Sequence, residues 1–313
     1  MKLRIYIDGY NLYYGALKRT PYKWLDPIPL VRQVIKESAP PELLASANAA
    51  IVTKYFTSPV EPKVSFSQSA KRDQNAYIRA LEALYPASEL SVILGSHTKD
   101  IVRQRKVDPT RPKVLHQGCE IVEVWRIEEK QSDVAIAVEA MRDAYSDYSE
   151  QHMVFVSNDT DFLPLFQALR QLNHIHIGII APGRDKNRPA AKGLEPVTRW
   201  MRNYFTSEEL KASQLPLCIE QHARQKALKQ PIRKPIGWYG QHEFASKIFD
   251  LLLDATGKRH KVNHWLEQAP VVTCIDGLPD LPRPAIEMLD DIESAKLVLR
   301  HAEAYAQFLA SKK

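Results

Sequence analysis

Leu3-Arg4-Ile5-Tyr6-Ile7-Asp8-Gly9-Tyr10-Asn11 is the stretch that decides the fold of this chain. A short apolar run stops at an aspartate, and Gly9 and Asn11 are turn formers, so the segment predicts a strand that ends in a turn. The same grammar recurs far downstream, where Met153-Val154-Phe155-Val156 runs into Ser157-Asn158-Asp159-Thr160-Asp161. Between the two, Lys130-Gln131-Ser132-Asp133 opens an alanine- and valine-rich helical pattern. Ligands of an open parallel α/β sheet bind outside the carboxyl ends of its strands. Acids at several such ends can therefore meet in one pocket, however far apart they are in sequence. Carboxylates held together repel one another and favour protonation. A hard divalent cation with oxygen ligands is the usual resolution, and it points to metal-assisted phosphoryl chemistry.

Outward from these stretches, the first two-thirds of the chain alternates in the same way. Strands are expected at Leu3–Ile7, Ala50–Phe56, Leu90–Leu94, Glu120–Trp125, Met153–Ser157 and Ile175–Ile180, with helices at Gln74–Leu84, Ser132–Tyr145 and Phe162–Leu172. Short apolar runs separated by helices of this length predict βαβ units and a mainly parallel sheet. Ser132 is expected as a helix N-cap, with Asp133 in the first turn suiting the helix dipole. Thr57–Ser69 and His97–Gly118 read as loops, the second of them basic. After Pro182 the character changes. Gly183–Arg202 carries Arg184, Lys186, Arg188, Lys192, Arg199 and Arg202 against Asp185 and Glu195. The expected division is an α/β domain over residues 1–217, a basic linker over 218–235, and a small helical C-terminal domain over 236–313. Amphipathic patterns at Gln241–Ala255 and Pro284–Leu309 define that last part, and they motivate a role in substrate choice, self-association or binding a regulatory protein.

Composition narrows the function classes. A chain of 313 residues suggests roughly two domains, and the net charge of +6 is compatible with a polyanionic partner. Cys119, Cys218 and Cys274 are odd in number and contain no C-x-x-C, so they form neither a disulfide framework nor a zinc signature. That favours a reducing compartment. The first apolar run is too short for a signal peptide, and no run approaches the ~18 apolar residues of a membrane span. The expectation is a cytoplasmic protein with no membrane association. No P-loop and no G-x-G-x-x-G occurs, which leaves P-loop ATP hydrolysis and the simplest dinucleotide reading without support. His260 and His264 have the spacing of a zinc-protease pair but lack its glutamate.

Ile7-Asp8-Gly9-Tyr10-Asn11-Leu12, Glu128-Glu129-Lys130-Gln131-Ser132-Asp133-Val134 and Ser157-Asn158-Asp159-Thr160-Asp161-Phe162 resemble, in order and spacing, the motifs of NYN-domain proteins of the PIN-like nuclease superfamily. The resemblance covers roughly residues 1–217, with Ser213-Gln214-Leu215-Pro216 similar to the usual end of the domain. It implies a Rossmann-like, PIN-like three-layer sandwich and an endonuclease dependent on Mg²⁺ or Mn²⁺, usually acting on RNA. By the same resemblance Asp8, Asp133, Asp159 and Asp161 are the metal-site acids, Asn11 is the polar partner of the first motif, and Ser157 is the small hydroxyl residue before the last acidic pair. The sequence departs from the family at Gln131 and Asn158, where glycine is common. Glu139 matches an acid often found later on the helix, but six residues on it lies about 240° around from Asp133.

The carboxylates would hold the cation, which lowers the pKa of a bound water and neutralises charge on the phosphate. Asn11 can orient a water or a carboxylate, and Ser157 can donate to a carboxylate or to phosphate. Lys130, Arg72, Arg184, Arg188 and Lys192 are candidates for holding the substrate's phosphates, and Tyr10 is a candidate for stacking on an unpaired base. The expected partner is RNA, structured RNA and tRNA included. Two other readings stand beside the endoribonuclease: a non-catalytic RNA-binding regulatory module that keeps the acidic pocket, and a phosphatase of the haloacid-dehalogenase type, which Asp159-Thr160-Asp161 resembles. Against the phosphatase, Leu163 stands where that family has Thr or Val, and the motif comes late in the chain.

Overall fold

A computed structural model of the chain describes residues 1–61, 67–115, 117–187, 191–221, 227–268, 280–281 and 284–312. In chain order the elements are β1 (Lys2–Asp8), α1 (Gly9–Leu12), α2 (Pro27–Ser38), β2 (Ile51–Thr57), α3 (Ala70–Leu84), β3 (Leu90–Leu94), β4 (Ser96–Arg105), β5 (Ile121–Lys130), α4 (Ser132–Ser146) and β6 (Gln151–Val156). They continue with α5 (Leu163–Leu169), β7 (Ile175–Ile180), β8 (Trp200–Arg202), α6 (Ser207–Ala212), β9 (Cys218–Gln221), β10 (Ala227–Arg233), α7 (His242–Thr256), α8 (Arg259–Glu267) and α9 (Ile292–Ser311). The chain forms two compact units. One is Met1–Leu12, Arg32–Gln74 and Ala87–Tyr204; the other is Tyr13–Val31, Asn75–Pro86 and Phe205–Lys313.

The first unit is built on a six-stranded sheet of order β3-β2-β1-β6-β7-β8, and every pairing in it is parallel. This is the mainly parallel α/β fold that the alternation of short apolar runs and helices predicts. Side chains alternate between the faces of a strand. Tyr6, Phe56, Met153, Phe155, Ile175, Ile177 and Ile179 share one buried cluster with Ile136, Ala140 and Ala144 of α4 and Leu165, Phe166 and Leu169 of α5. The face of β1 that carries Tyr6 therefore also carries Arg4 and Asp8, and it looks toward α4. Strands β2 and β6 lie on either side of β1. The chain leaves β1 for β2 and β3 in one direction and takes up β6, β7 and β8 in the other, so the β1/β6 crevice is the topological switch point of the sheet.

Three local expectations are corrected. The stretch His97–Gly118, expected as a loop, begins as strand β4, which pairs antiparallel with β5 over ten residues from Ser96↔Lys130 to Arg105↔Ile121. Glu120–Trp125 is accordingly part of this separate ribbon and not of the parallel sheet. Most of the ribbon is solvent-exposed on both faces, so β4 shows none of the apolar alternation that a half-buried strand displays. Third, Ser132 is the first residue of α4 and not its cap; the cap position is Gln131, in the left-handed region at φ 82°.

In the second unit, α7, α8 and α9 bury Ile248, Leu252, Val262, Trp265, Val298 and Ala302 in one apolar cluster, as the amphipathic patterns require. Cys218–Gln221 and Ala227–Arg233 pair antiparallel in the segment expected as a linker. Helix α6 starts on a capping box in which Thr206 and Glu209 satisfy each other's backbone N–H groups. Cys274 and Arg188 lie outside the described residues. No helix among the described residues is long and apolar enough to cross a membrane.

Candidate active site

Asp8 is the last residue of β1, and its carboxylate caps the turn into α1. Its Oδ1 accepts the backbone N–H of Asn11 at 2.9 Å, and its Oδ2 accepts the Ser157 hydroxyl at 3.1 Å. The second bond joins the ends of β1 and β6 across the switch point. The chain turns there because Gly9 has no side chain: a Cβ on it would stand 2.6 Å from the Phe56 carbonyl oxygen of β2. Beyond β6, the Asp159 backbone N–H donates to Ser157 Oγ at 3.2 Å. Asp159 Oδ1 in turn accepts the N–H of Asp161 at 2.9 Å and caps the single turn Thr160–Phe162. Asn11 Oδ1 accepts the backbone N–H of Asn158 at 3.2 Å. Asp8, Asn11, Ser157, Asp159 and Asp161 thus form one hydrogen-bonded group, although about 150 residues separate its two halves in sequence.

Asp133 enters from the first turn of α4, on the face of the sheet that Asp8 occupies. Partial burial pushes its carboxyl up to about 6, and the charges of Asp8, Asp159, Glu129 and Asp161 add to the rise. Asp8 is raised as well, by its own burial first, with the Asn11 and Ser157 hydrogen bonds opposing and Asp159 contributing. The four expected acids therefore sense one another. Among the described residues, none of them pairs with a lysine or arginine.

Asp133 and Asp8 are raised by burial first and by neighbouring acids second, and among the described residues no ammonium or guanidinium pairs with them, a donor set that a hard cation could take. The spacing is open, and among the described residues no three His, Cys, Asp or Glu side chains form a ready metal cage. Mg²⁺ is commonly carried on one or two carboxylates with waters and substrate phosphates. The arrangement suits that mode better than a protein-enclosed one.

The remaining candidates separate. Lys130 Nζ pairs with Glu128 at 2.7 Å, and Arg72 Nε lies 3.5 Å from Asp73; neither is bonded to the acids. Arg184 and Lys192 are solvent-exposed. Lys192 follows Ala191, whose N–H donates to Asn158 Oδ1 at 2.9 Å, so its backbone is tethered beside the last acidic motif. Glu139 is engaged by Lys54 at 2.7 Å and by Arg142, away from the acids. Tyr10 Oη lies 2.9 Å from His97 Nε2 on β4.

Glu129 joins the site from a position that strand ends do not select. Its Oε1 accepts the hydroxyls of Ser58 at 2.7 Å and Ser132 at 2.5 Å, and its charge raises Asp133. It lies near the end of an exposed ribbon strand, so no apolar run announces it. The close approach depends on Gly95, where a Cβ would stand 2.7 Å from Glu129 Oε1 and 2.8 Å from the Lys130 carbonyl oxygen.

An open parallel sheet with acids converging on its switch point defines a Rossmann-like α/β protein with a carboxylate-centred site. The NYN domain model matches residues 2–192, and the chain belongs to the NYN domain family. It is 33% identical over 315 residues to the 6-hydroxy-3-succinoylpyridine 3-monooxygenase HspA of Pseudomonas putida (strain DSM 28022 / S16), a match that spans 97% of this chain and 95% of that protein. Among solved structures, a protein of unknown function from Vibrio parahaemolyticus RIMD 2210633 aligns with a TM-score of 0.33 at 17% identity, over 66% of this chain and 91% of the other.

Proposed function

We propose that the acids at the β1/β6 switch point are the catalytic centre of a divalent-metal-dependent endonuclease that cuts RNA. The observation that carries this reading is the Ser157–Asp8 hydrogen bond. It ties two strand-end acidic motifs into one site on a fold whose family is nuclease-like. Asp8, Asp133, Asp159 and Asp161 are the residues that would hold Mg²⁺ or Mn²⁺. When bound, the ion supplies charge neutralisation on the phosphate and a more acidic water.

The chain's own residues do the positioning. Asn11 and Ser157 fix both oxygens of Asp8, so its carboxylate cannot rotate away from the crevice. Asp159 is fixed by the N–H of Asp161. Asn158 holds the Ala191 backbone and so keeps Lys192 close enough to meet a phosphate as a point charge. Arg184 and Arg72 are further phosphate contacts in this reading. The proposed location is the cytoplasm, which the widely spaced cysteines without a C-x-x-C support.

A second reading is favoured by a separate observation: the match to the Pseudomonas monooxygenase runs through nearly all of both chains and is not confined to the NYN region. On that reading the same pocket oxidises an aromatic carboxylic acid of the pyridine type. One experiment separates the two. The purified protein is given a panel of RNA and DNA strands with Mg²⁺, Mn²⁺ or EDTA and, in parallel, 6-hydroxy-3-succinoylpyridine with a reductant while oxygen uptake is followed. Metal-dependent cutting of RNA without oxygen uptake is the expected result. Substrate-dependent oxygen uptake with intact RNA would replace the nuclease by the oxygenase. RNA binding with neither reaction would make the protein a binding module.

A further inference from the structure

The β4–β5 ribbon is an exposed feature near the site that the proposed chemistry leaves unused. Directly opposed residues of an antiparallel pair share a face. One face therefore carries His97 with Glu129, Lys99 with Ile127, Ile101 with Trp125, Arg103 with Glu123, and Arg105 with Ile121. Its inner end is built into the active site: His97 meets Tyr10 at 2.9 Å, and Glu129 holds Ser58 and Ser132 beside Asp133. Midway along the same face, Ile101 is 59% and Trp125 69% exposed. Trp24, Trp200 and Trp265 are by contrast buried. Ile101 and Trp125 are directly opposed, so they form one apolar step open to solvent on this face.

We infer that this face is a track for single-stranded nucleic acid leading away from the acids, with Trp125 as the platform on which an unpaired base stacks. The inference rests on the nuclease reading and names its substrate class. Charge selects the occupant. Arg103 and Arg105 continue the face beyond Ile101, and Lys113 follows toward the tip, where Lys106 pairs with Glu120 and Arg111 with Asp108. Glu123 opposes Arg103 and Lys99 pairs with Glu61, so phosphate binding is concentrated at the outer half of the track. A flat indole flanked by cations accepts any unpaired base. A duplex keeps the faces of its bases stacked inside and cannot use it.

The test is binding of a short fluorescein-labelled oligouridylate and of a matching RNA duplex, followed by anisotropy in EDTA so that nothing is cut. Wild type, Trp125→Ala, Trp125→Phe and the Arg103→Ala/Arg105→Ala pair are compared, with circular dichroism to show that each is folded. The single strand is expected to bind more tightly than the duplex and to quench tryptophan emission. Trp125→Ala is expected to lose roughly tenfold in affinity and the quenching, Trp125→Phe to keep most of the affinity, and the arginine pair to weaken binding most at low salt. Equal affinity of wild type and Trp125→Ala, or preference for the duplex, would overturn the track. A Trp125→Ala effect on the sedimentation of the free protein, with RNA affinity unchanged, would overturn it too and make the face a contact between copies of the chain. Trp125-dependent binding without metal-dependent cutting would leave the track standing and remove the nuclease, whereas cutting with Trp125-independent binding would do the reverse.

Discussion

Gly9 sits next to Asp8 at a place where a side chain has no room, 2.6 Å from the Phe56 carbonyl oxygen. Gly9→Ala must displace α1 from the end of β1 and pull the Asn11 N–H off Asp8. A loss of about 1–3 kcal/mol in denaturant unfolding is expected, with a larger loss of activity. Gln131 shows the opposite case. It holds φ 82° with a side chain, a conformation costing roughly 1–2 kcal/mol for an L-residue. Gln131→Gly is expected to stabilise by up to about 1 kcal/mol, the rest being offset by the freedom glycine gains when unfolded; a lower denaturation midpoint would contradict this. Glycine is common at this position in NYN proteins, so the strain was legible as a departure from the family pattern, although its angle was not. His152 contributes a pH dependence of its own. It is buried, its Nε2 accepts the Trp200 indole N–H at 2.8 Å, and its Nδ1 lies 2.6 Å from Ser46 Oγ. Burial pulls its pKa down from 6.5 to about 3, with the charge of His176 contributing. The unfolded chain therefore takes up a proton below about pH 6.5 that the folded chain refuses. Stability from this residue is complete above that pH and is lost as pH falls toward 3. The drop in Tm between neutral pH and about pH 5 is expected to shrink in His152→Gln.

At the scale of elements, α4 docks on the sheet through charge as well as through apolar packing. Glu139 and Asp143 stand four residues apart on one stripe of the helix and Asp147 follows at its C-cap, facing cations on the strands. Lys54 of β2 pairs with Glu139 at 2.7 Å and Asp143 at 2.6 Å, and Arg4 of β1 reaches Asp143 at 3.5 Å and Asp147 at 3.6 Å. Tyr6 Oη donates to the same Asp143 at 2.7 Å. Lys54→Met takes one cation from Glu139 and Asp143, which keep Arg142 and Arg4, so it is expected to cost about 1–3 kcal/mol, less than breaking an isolated buried pair. Asp143→Leu, which takes the acceptor from Lys54, Arg4 and Tyr6 together, is expected to cost more than Lys54→Met; equal costs would show that packing and not charge holds the helix. This network was not legible in the sequence, because a buried lysine in a strand and an acid 89 residues later carry no local mark. The parallel strands were legible for the contrary reason: burial on both faces makes them apolar runs that stop at recognisable turn residues. Of the β4–β5 ribbon, exposed on both faces, Glu120–Trp125 read as a strand but β4 had no such pattern, and with the pairing the Glu129 contacts and the His97–Tyr10 contact stayed hidden. Asp8, Asp159 and Asp161 could be picked out because each stands just past the end of an apolar run.

Over the whole molecule, the two units interleave along the chain: the second takes Tyr13–Val31 and Asn75–Pro86 from the N-terminal half as well as Phe205–Lys313. Within it, the rings of Trp24, Tyr77 and Trp238 meet at centroid distances of 5.8–6.1 Å. Ending the chain at residue 235 removes Trp238 from that group and strips the second unit of most of its apolar cluster. The truncated protein is expected to unfold at a lower temperature than the full chain, and an unchanged Tm would show residues 236–313 to be an independent module. The first unit supplies what the proposed chemistry needs: a sheet whose strand order reverses at β1/β6, two acidic motifs bonded across that reversal, and a helix carrying a further acid whose charge environment they share. The most direct measurement on this account is the Mn²⁺-dependent cleavage rate of a labelled RNA by wild type and by Asp159→Asn in the same preparation. A fall of at least about a hundredfold in the variant, with its fold and RNA affinity retained, is the predicted result. Equal rates in the two proteins, or no cleavage by wild type with either Mg²⁺ or Mn²⁺, would contradict it.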